Sequence, residues 1–185
     1  MRRPVLTTYR FPAGTCIQQA QPKLKGNVSL DSSALDVMTD LAIVKAETID
    51  PVTPLAQAER VMIDRGVRSL FVTSDFPCVE GLVTASALIG TKPMQVANRR
   101  QVKLEDLCVA DVMTELSQLD VIDYDELKNS YVDSVVTTFE ILSCTHLLVV
   151  QAAKEQGPAR IRGVISATQL ERLLANNDMV KSSTR

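Results

Sequence analysis

Hydrophobic and polar positions divide the chain into two stretches that share one order of short strands and helices. Leu55, Ala58, Val61 and Met62 recur at the spacing of one helical face. Pro54 suits the first helical position, Thr53 offers a cap before it, and Gly66 a stop after it. Ser69 to Thr73 and Val79 to Val83 are apolar runs around Ser74-Asp75-Phe76-Pro77, the pattern of a hairpin. Thr84 is placed to cap a helix over Ala85 to Ile89 that Gly90 closes, and Val44 to Ile49 reads as a strand ahead of the set.

The second stretch repeats the order. Leu119 to Ile122 reads as a strand, and Val132, Val135, Val136, Phe139 and Leu142 mark a helix. Thr145 to Val150 and Ile161 to Ile165 read as strands joined by a polar connection, and Ser166 precedes a helix through Leu170, Leu173 and Leu174. The pattern is β-α-β-β-α, twice. The duplication is also literal: Ala34-Leu35-Asp36-Val37-Met38-Thr39-Asp40-Leu41 returns as Val109-Ala110-Asp111-Val112-Met113-Thr114-Glu115-Leu116. Ser32-Ser33 offers a cap for a short helix in the first copy. Two such copies packed about a pseudo-two-fold axis make an α/β (α+β) fold with clefts where they meet. The expected organisation is an N-terminal arm over 1–30, a repeat over 31–92, a linker over 93–106, a second repeat over 107–176 and a tail over 177–185. In the linker, Pro93 is expected to break helicity among polar and basic residues.

Composition changes this picture mainly by exclusion. The 185 residues are 45% hydrophobic and 23% charged, with a net charge of −2, so there is no basic footprint for nucleic acid or anionic lipid. No window holds the roughly eighteen apolar residues of a membrane span. Pro4, Thr7, Thr8, Arg10 and Pro12 interrupt what would be the core of a signal peptide, so a cytoplasmic protein is expected. Cys16, Cys78, Cys108 and Cys144 lack paired spacing and His146 is the single histidine, so no metal site is expected. Nor can a nucleophile, base and orienting group be assembled, and no catalytic residue is assigned. Asp36 and Asp111 fall in first turns of short helices, where the dipole favours a carboxylate. Arg160 and Arg162 alternate along one strand and, with Lys154, read as a solvated edge, with an anion or partner contact as the alternative.

Several phrases resemble the CBS domain, named after cystathionine β-synthase and found in tandem as the Bateman module. Asp36-Val37-Met38-Thr39 and Asp111-Val112-Met113-Thr114 match the family's opening phrase. Gly66-Val67-Arg68-Ser69-Leu70-Phe71-Val72 and Ser143-Cys144-Thr145-His146-Leu147-Leu148-Val149 match its Gly-Ile-Arg-His-Leu-Pro-Val strand. Gly81-Leu82-Val83-Thr84 and Gly163-Val164-Ile165-Ser166 match its closing phrase. The resemblance spans about residues 34 to 175 and implies a regulatory, homodimeric module. Its ligand would be an adenosine-containing molecule (AMP, ATP or S-adenosylmethionine) held between the repeats. An aspartate three residues after the closing Thr or Ser typically holds the ribose hydroxyls. Here that position carries Ala87 and Gln169, and neither supplies a carboxylate.

The candidate ligand residues are Arg68, Ser69, Thr84, Thr145, His146, Ser166 and Gln169. Each also has a plain structural role open to it. Thr84 and Ser166 can simply cap helices, worth about 1 kcal/mol each, and Ser166 with Gln169 fits a capping box. Arg68 can be solvated at a strand end, and His146 can be a hydrogen-bonded interior imidazole. The sequence supports two functions: a sensor of a small adenosine-containing ligand, or an interaction scaffold that works through its dimer surface on an effector protein.

Overall fold

A computed structural model describes residues 28–152 and 159–182 of the chain, so most of the expected arm, and Lys154, lie outside the described residues. A 3-10 turn, Ala34–Val37, opens the fold under a cap in which Ser33 Oγ accepts from the Leu35 N–H. β1 (Thr39–Asp40), β2 (Thr48–Ile49) and α1 (Leu55–Arg65) follow. Next come β3 (Ser69–Val72), β4 (Gly81–Thr84), α2 (Ala85–Ile89) and α3 (Lys92–Arg100). The second copy runs α4 (Val109–Val112), β5 (Thr114–Glu115), β6 (Val121–Asp123), α5 (Tyr124–Lys128), α6 (Val132–Leu142), β7 (His146–Gln151), β8 (Arg160–Ser166) and α7 (Ala167–Ser182). Its last helix extends well past Leu174.

Two expectations need correction. Pro93 does not break helicity, because it sits in the first turn of α3, where a missing N–H costs nothing. Thr53 does not cap α1: the cap position is Pro54, and no side chain bonds there. The Leu55 N–H donates instead to the Leu107 carbonyl at 3.4 Å, and the Val109 N–H donates to the Thr53 carbonyl at 2.9 Å. The second copy's opening segment has taken over the role expected of the Thr53 hydroxyl.

This exchange is reciprocal. At the equivalent place the Ala34 N–H donates to Ser130 O and the Val132 N–H to Ser32 O, both at 3.0 Å. The strands follow suit: one sheet has the order β2-β3-β4-β5 and the other β1-β8-β7-β6. Each sheet is therefore completed by the short strand that ends the other copy's opening phrase. The cores are mixed in the same way. Val109 and Val112 pack among Ala58, Met62, Leu70, Val72 and Val83. Ala34, Val37 and Met38 pack among Val132, Val135, Leu147, Val149 and Ile165. The packed bodies are thus built from both sequence copies.

Strand alternation decides what faces what. In β3, Leu70 and Val72 point to the helices of their own body, while Phe71 points the other way. In β7, Leu147 and Val149 face helices, and Leu148 turns outward. Phe71, Leu82 and Leu148 meet in a third cluster that joins the two sheets. Burying each such side chain contributes about 1.5–3 kcal/mol.

The exchanged strands come close enough to demand glycine. A Cβ on Gly81 would fall on the Thr114 carbonyl oxygen of β5. The equivalent Cβ on Gly163 would sit 2.8 Å from the Thr39 carbonyl and press on the Met38 side chain. Both positions thus face a strand carbonyl that cannot yield. Gly81→Ala and Gly163→Ala are therefore each expected to lower stability by about 1–3 kcal/mol. Urea midpoints check this, and a Gly81→Ala midpoint equal to the parent's would contradict the close approach.

Candidate functional site

The cleft between the bodies opens where three strand ends converge. β3 brings Ser69, with Arg68 just before it; β7 brings His146; β8 ends in Ser166, from which α7 departs. The first turns of α7 add Thr168, Gln169 and Arg172, which share a face because they lie three and four residues apart. The far wall is the segment between β1 and β2, with Lys45 and Glu47. The hollow measures about 310 Å³, at the small end of ligand pockets. Leu41, Val67, Phe71 and Val164 supply apolar surface.

Five of the seven candidates, Arg68, Ser69, His146, Ser166 and Gln169, line this one cleft. Thr84 and Thr145 do not. Thr84 is opposite Ser69 in the sheet, as Ser166 is opposite His146, so it occupies the pseudo-symmetric place. Its Oγ1 accepts from the Ala87 N–H at 3.1 Å, the expected helix cap, and lies 2.9 Å from Ser86 Oγ. Thr145 Oγ1 is 3.1 Å from His146 Nδ1 and so helps orient that ring. A larger hollow of about 650 Å³ lies between α1, α2 and residues 103–105, walled by Leu55, Leu88, Pro93 and Leu104. None of the candidates lines it.

Cationic groups dominate the cleft. Lys45, Arg68 and Arg172 border it, and the one carboxylate among its lining residues is Glu47. Arg65 already pairs with that carboxylate at 3.3 Å. Burial pulls the half-buried His146 imidazole below its ordinary pKa, so the neutral ring prevails at pH 7. The Gln169 Oε1 accepts from the Thr39 hydroxyl at 3.5 Å. That contact ties α7 to the exchanged strand β1.

Lys45, Glu47 and Arg172 were missed in the sequence. Arg172 was readable, being three residues after Gln169 on the same helical face. Lys45 and Glu47 reach the cleft only because the chain between β1 and β2 crosses from one body to the other, and no local pattern announces that.

Arg162 departs from the solvated edge expected of it. Its Nη2 donates to Asp40 Oδ2 at 2.8 Å, and its guanidinium lies over the Tyr124 ring, 5.2 Å from the centroid. Its Nε is buried without a hydrogen-bond partner. The pair joins β8 to β1 across the repeats. Asp111 plays the structural part expected of it. Its Oδ2 accepts from the Cys108 N–H at 2.8 Å and from the Cys108 thiol at 3.3 Å, and Arg100 pairs with its other oxygen. Burial works to raise its pKa, but these donors prevail and hold it below the ordinary value. Burial and the neighbouring Asp111 in turn push the Cys108 thiol up. Among the described residues, no three of His, Cys, Asp and Glu gather as a metal site, and no helix is long and apolar enough to cross a membrane.

Comparison with known proteins agrees with this architecture. The CBS domain model matches residues 34–91. A search of curated protein sequences returns no match. An uncharacterised conserved protein of Pyrococcus horikoshii superposes with a TM-score of 0.53 at 21% identity, over 78% of this chain and 93% of its own. CBSX2 of Arabidopsis thaliana in complex with AMP gives 0.52 at 18% identity, over 78% of this chain and 97% of that one. The CBS-domain pair of MJ0100, solved with 5′-methylthioadenosine and S-adenosyl-L-methionine, gives 0.50 at 13%, over 80% and 98%. At these identities the likeness is one of fold. Residues 34–91 thus match the CBS domain, and the chain as described has the fold of tandem CBS-domain pairs.

Proposed function

We propose that the chain is a regulatory binding module, not an enzyme, which takes an adenosine-containing ligand such as AMP, ATP or S-adenosylmethionine into the cleft between its repeats. The observation that carries this reading is the convergence of Arg68, Ser69, His146, Ser166 and Gln169, from both copies, on one hollow. Arg68 would pair with phosphate, a contact worth about 1 kcal/mol for an exposed side chain. The Ser166 hydroxyl and Gln169 amide would meet the sugar, and the apolar wall would take the base. That CBSX2 was crystallised with AMP, and the MJ0100 pair with two adenosine compounds, supports this ligand class.

The dimer half of the reading rests on a different observation. On the outer face of the first body, Ile63 of α1 is 71% exposed and Ile89 of α2 is 68% exposed. They flank a shallow groove with Met62, Val67 and Leu88. On α6, Ile141 is 75% exposed. Covering these residues with a second copy would bury apolar surface that a monomer leaves in water. An effector protein would then read the geometry of the dimer. The same face also sustains the scaffold reading, in which the dimer surface acts without a ligand.

Three outcomes are expected. AMP, ATP or S-adenosylmethionine at about a hundred times its dissociation constant should stabilise the protein by about 2.7 kcal/mol; a thermal-shift panel in which none of them moves the midpoint sinks the sensor reading. Sedimentation should show a dimer that the double substitution Ile63→Glu, Ile89→Glu converts to monomer, and a monomeric parent sinks the dimer. The third outcome concerns pH. The folded state keeps His146 neutral, with its pKa below the unfolded value of 6.5, so the unfolded chain binds the proton more readily. The ring's contribution is complete above pH 6.5 and fades as pH falls toward the lower folded pKa. Urea unfolding from pH 7.5 to 5 should show this loss, and His146→Gln should reduce it.

A further inference from the structure

We infer, building on the cleft reading above, that the cleft selects its ligand by phosphate charge, which makes a nucleoside polyphosphate its preferred ligand class and disfavours sulfonium and uncharged nucleosides. The chain as a whole carries a net charge of −2, so a positive hollow is a local departure from its average. Lys45 on the far wall, Arg68 beside β3 and Arg172 on α7 approach the cleft from three different segments. Cations from three segments can meet an anion from more than one side of the hollow, whereas a single helix face of cations could not. Glu47, the one opposing carboxylate among the lining residues, is neutralised by Arg65. Gln169, at the start of α7, puts a neutral amide where a carboxylate would subtract one charge from the field.

Charge set against charge favours the ligand with most phosphates. ATP brings three phosphates to three cations, AMP brings one, and adenosine brings none. S-adenosylmethionine sets a sulfonium and an ammonium against one carboxylate, a net positive charge that Lys45, Arg68 and Arg172 would repel. The apolar residues Leu41, Val67, Phe71 and Val164 give the base a surface that inorganic triphosphate cannot use.

Isothermal titration of the full chain with ATP, AMP, adenosine, S-adenosylmethionine and inorganic triphosphate tests the inference. The expected order is ATP tighter than AMP, each phosphate adding about fivefold to tenfold, with adenosine and S-adenosylmethionine weakest. ATP affinity should fall more than tenfold between 50 and 500 mM salt while adenosine changes little. Arg68→Gln and Arg172→Gln should each weaken ATP about fivefold to tenfold and leave adenosine unchanged. Both side chains are exposed, so unfolding midpoints without ligand should match the parent's and show the fold intact. Adenosine or S-adenosylmethionine binding as tightly as ATP overturns charge selection while the adenosine-binding reading stands. Inorganic triphosphate binding as tightly as ATP overturns the nucleoside part. If none of the five binds, the adenosine-binding reading fails and the inference fails with it.

Discussion

The whole architecture depends on one constraint: neither copy of the repeat closes its own sheet. β1 and β5 are each two residues long and carried by the copy they do not complete. A two-residue strand has no independent stability. It persists because the turn before it buries valine and alanine in the opposite body, and because backbone bonds at Ala34, Val132, Leu55 and Val109 tie the junctions. Separating the copies would strip both sheets of an edge and both cores of their lids at once. The two bodies are therefore one cooperative object, and the glycines at 81 and 163 are the clearance that lets the exchanged strands lie close.

The candidate cleft is inseparable from this exchange. The cleft walls belong to different bodies only because the chain crosses after β1, carrying Leu41, Lys45 and Glu47 from one sheet to the other. Thr39 sits on that crossing strand and bonds Gln169 on α7, while Asp40 beside it holds Arg162 on β8. The residues that bind the halves together are thus immediate neighbours of those that line the hollow.

Much of this was legible in the chain itself. The doubled phrase, the period-two strands and the caps at Ser33 and Thr84 announced a repeated β-α-β-β-α unit, because those features are local. Of the seven candidate residues, Arg68, Ser69, His146 and Ser166 reached one cleft at or beside strand ends, and Gln169 reached it from the first turn of α7. The exchange was not legible. Nothing local in Ala34–Asp40 says that it packs on residues a hundred positions away, and the failure of Thr53 to cap its helix follows from the same ignorance. Pro93 misled for a different reason: proline breaks a helix interior but suits its first turn, and sequence alone left the position of the helix start open. Arg162 looked solvated because its partner, Asp40, belongs to the exchanged strand.

A ligand in such a cleft shifts an equilibrium only by the difference in its contacts between two arrangements. The cleft draws on both bodies: Arg68 and Ser69 sit at β3 in one, whereas His146, Ser166 and Arg172 belong to the other. A group that touches only one body would ride along with it and report nothing. A phosphate held by Arg68 and Arg172 together, as proposed, would span both, so a change in the angle between the bodies would alter its contacts. The two sheets meet through Phe71, Leu82 and Leu148, with Leu41, Ala46, Val79, Leu119, Ile161 and Val164 packed against them. Leu41, Phe71 and Val164 also line the cleft, so the contact between the bodies and the wall of the hollow share side chains.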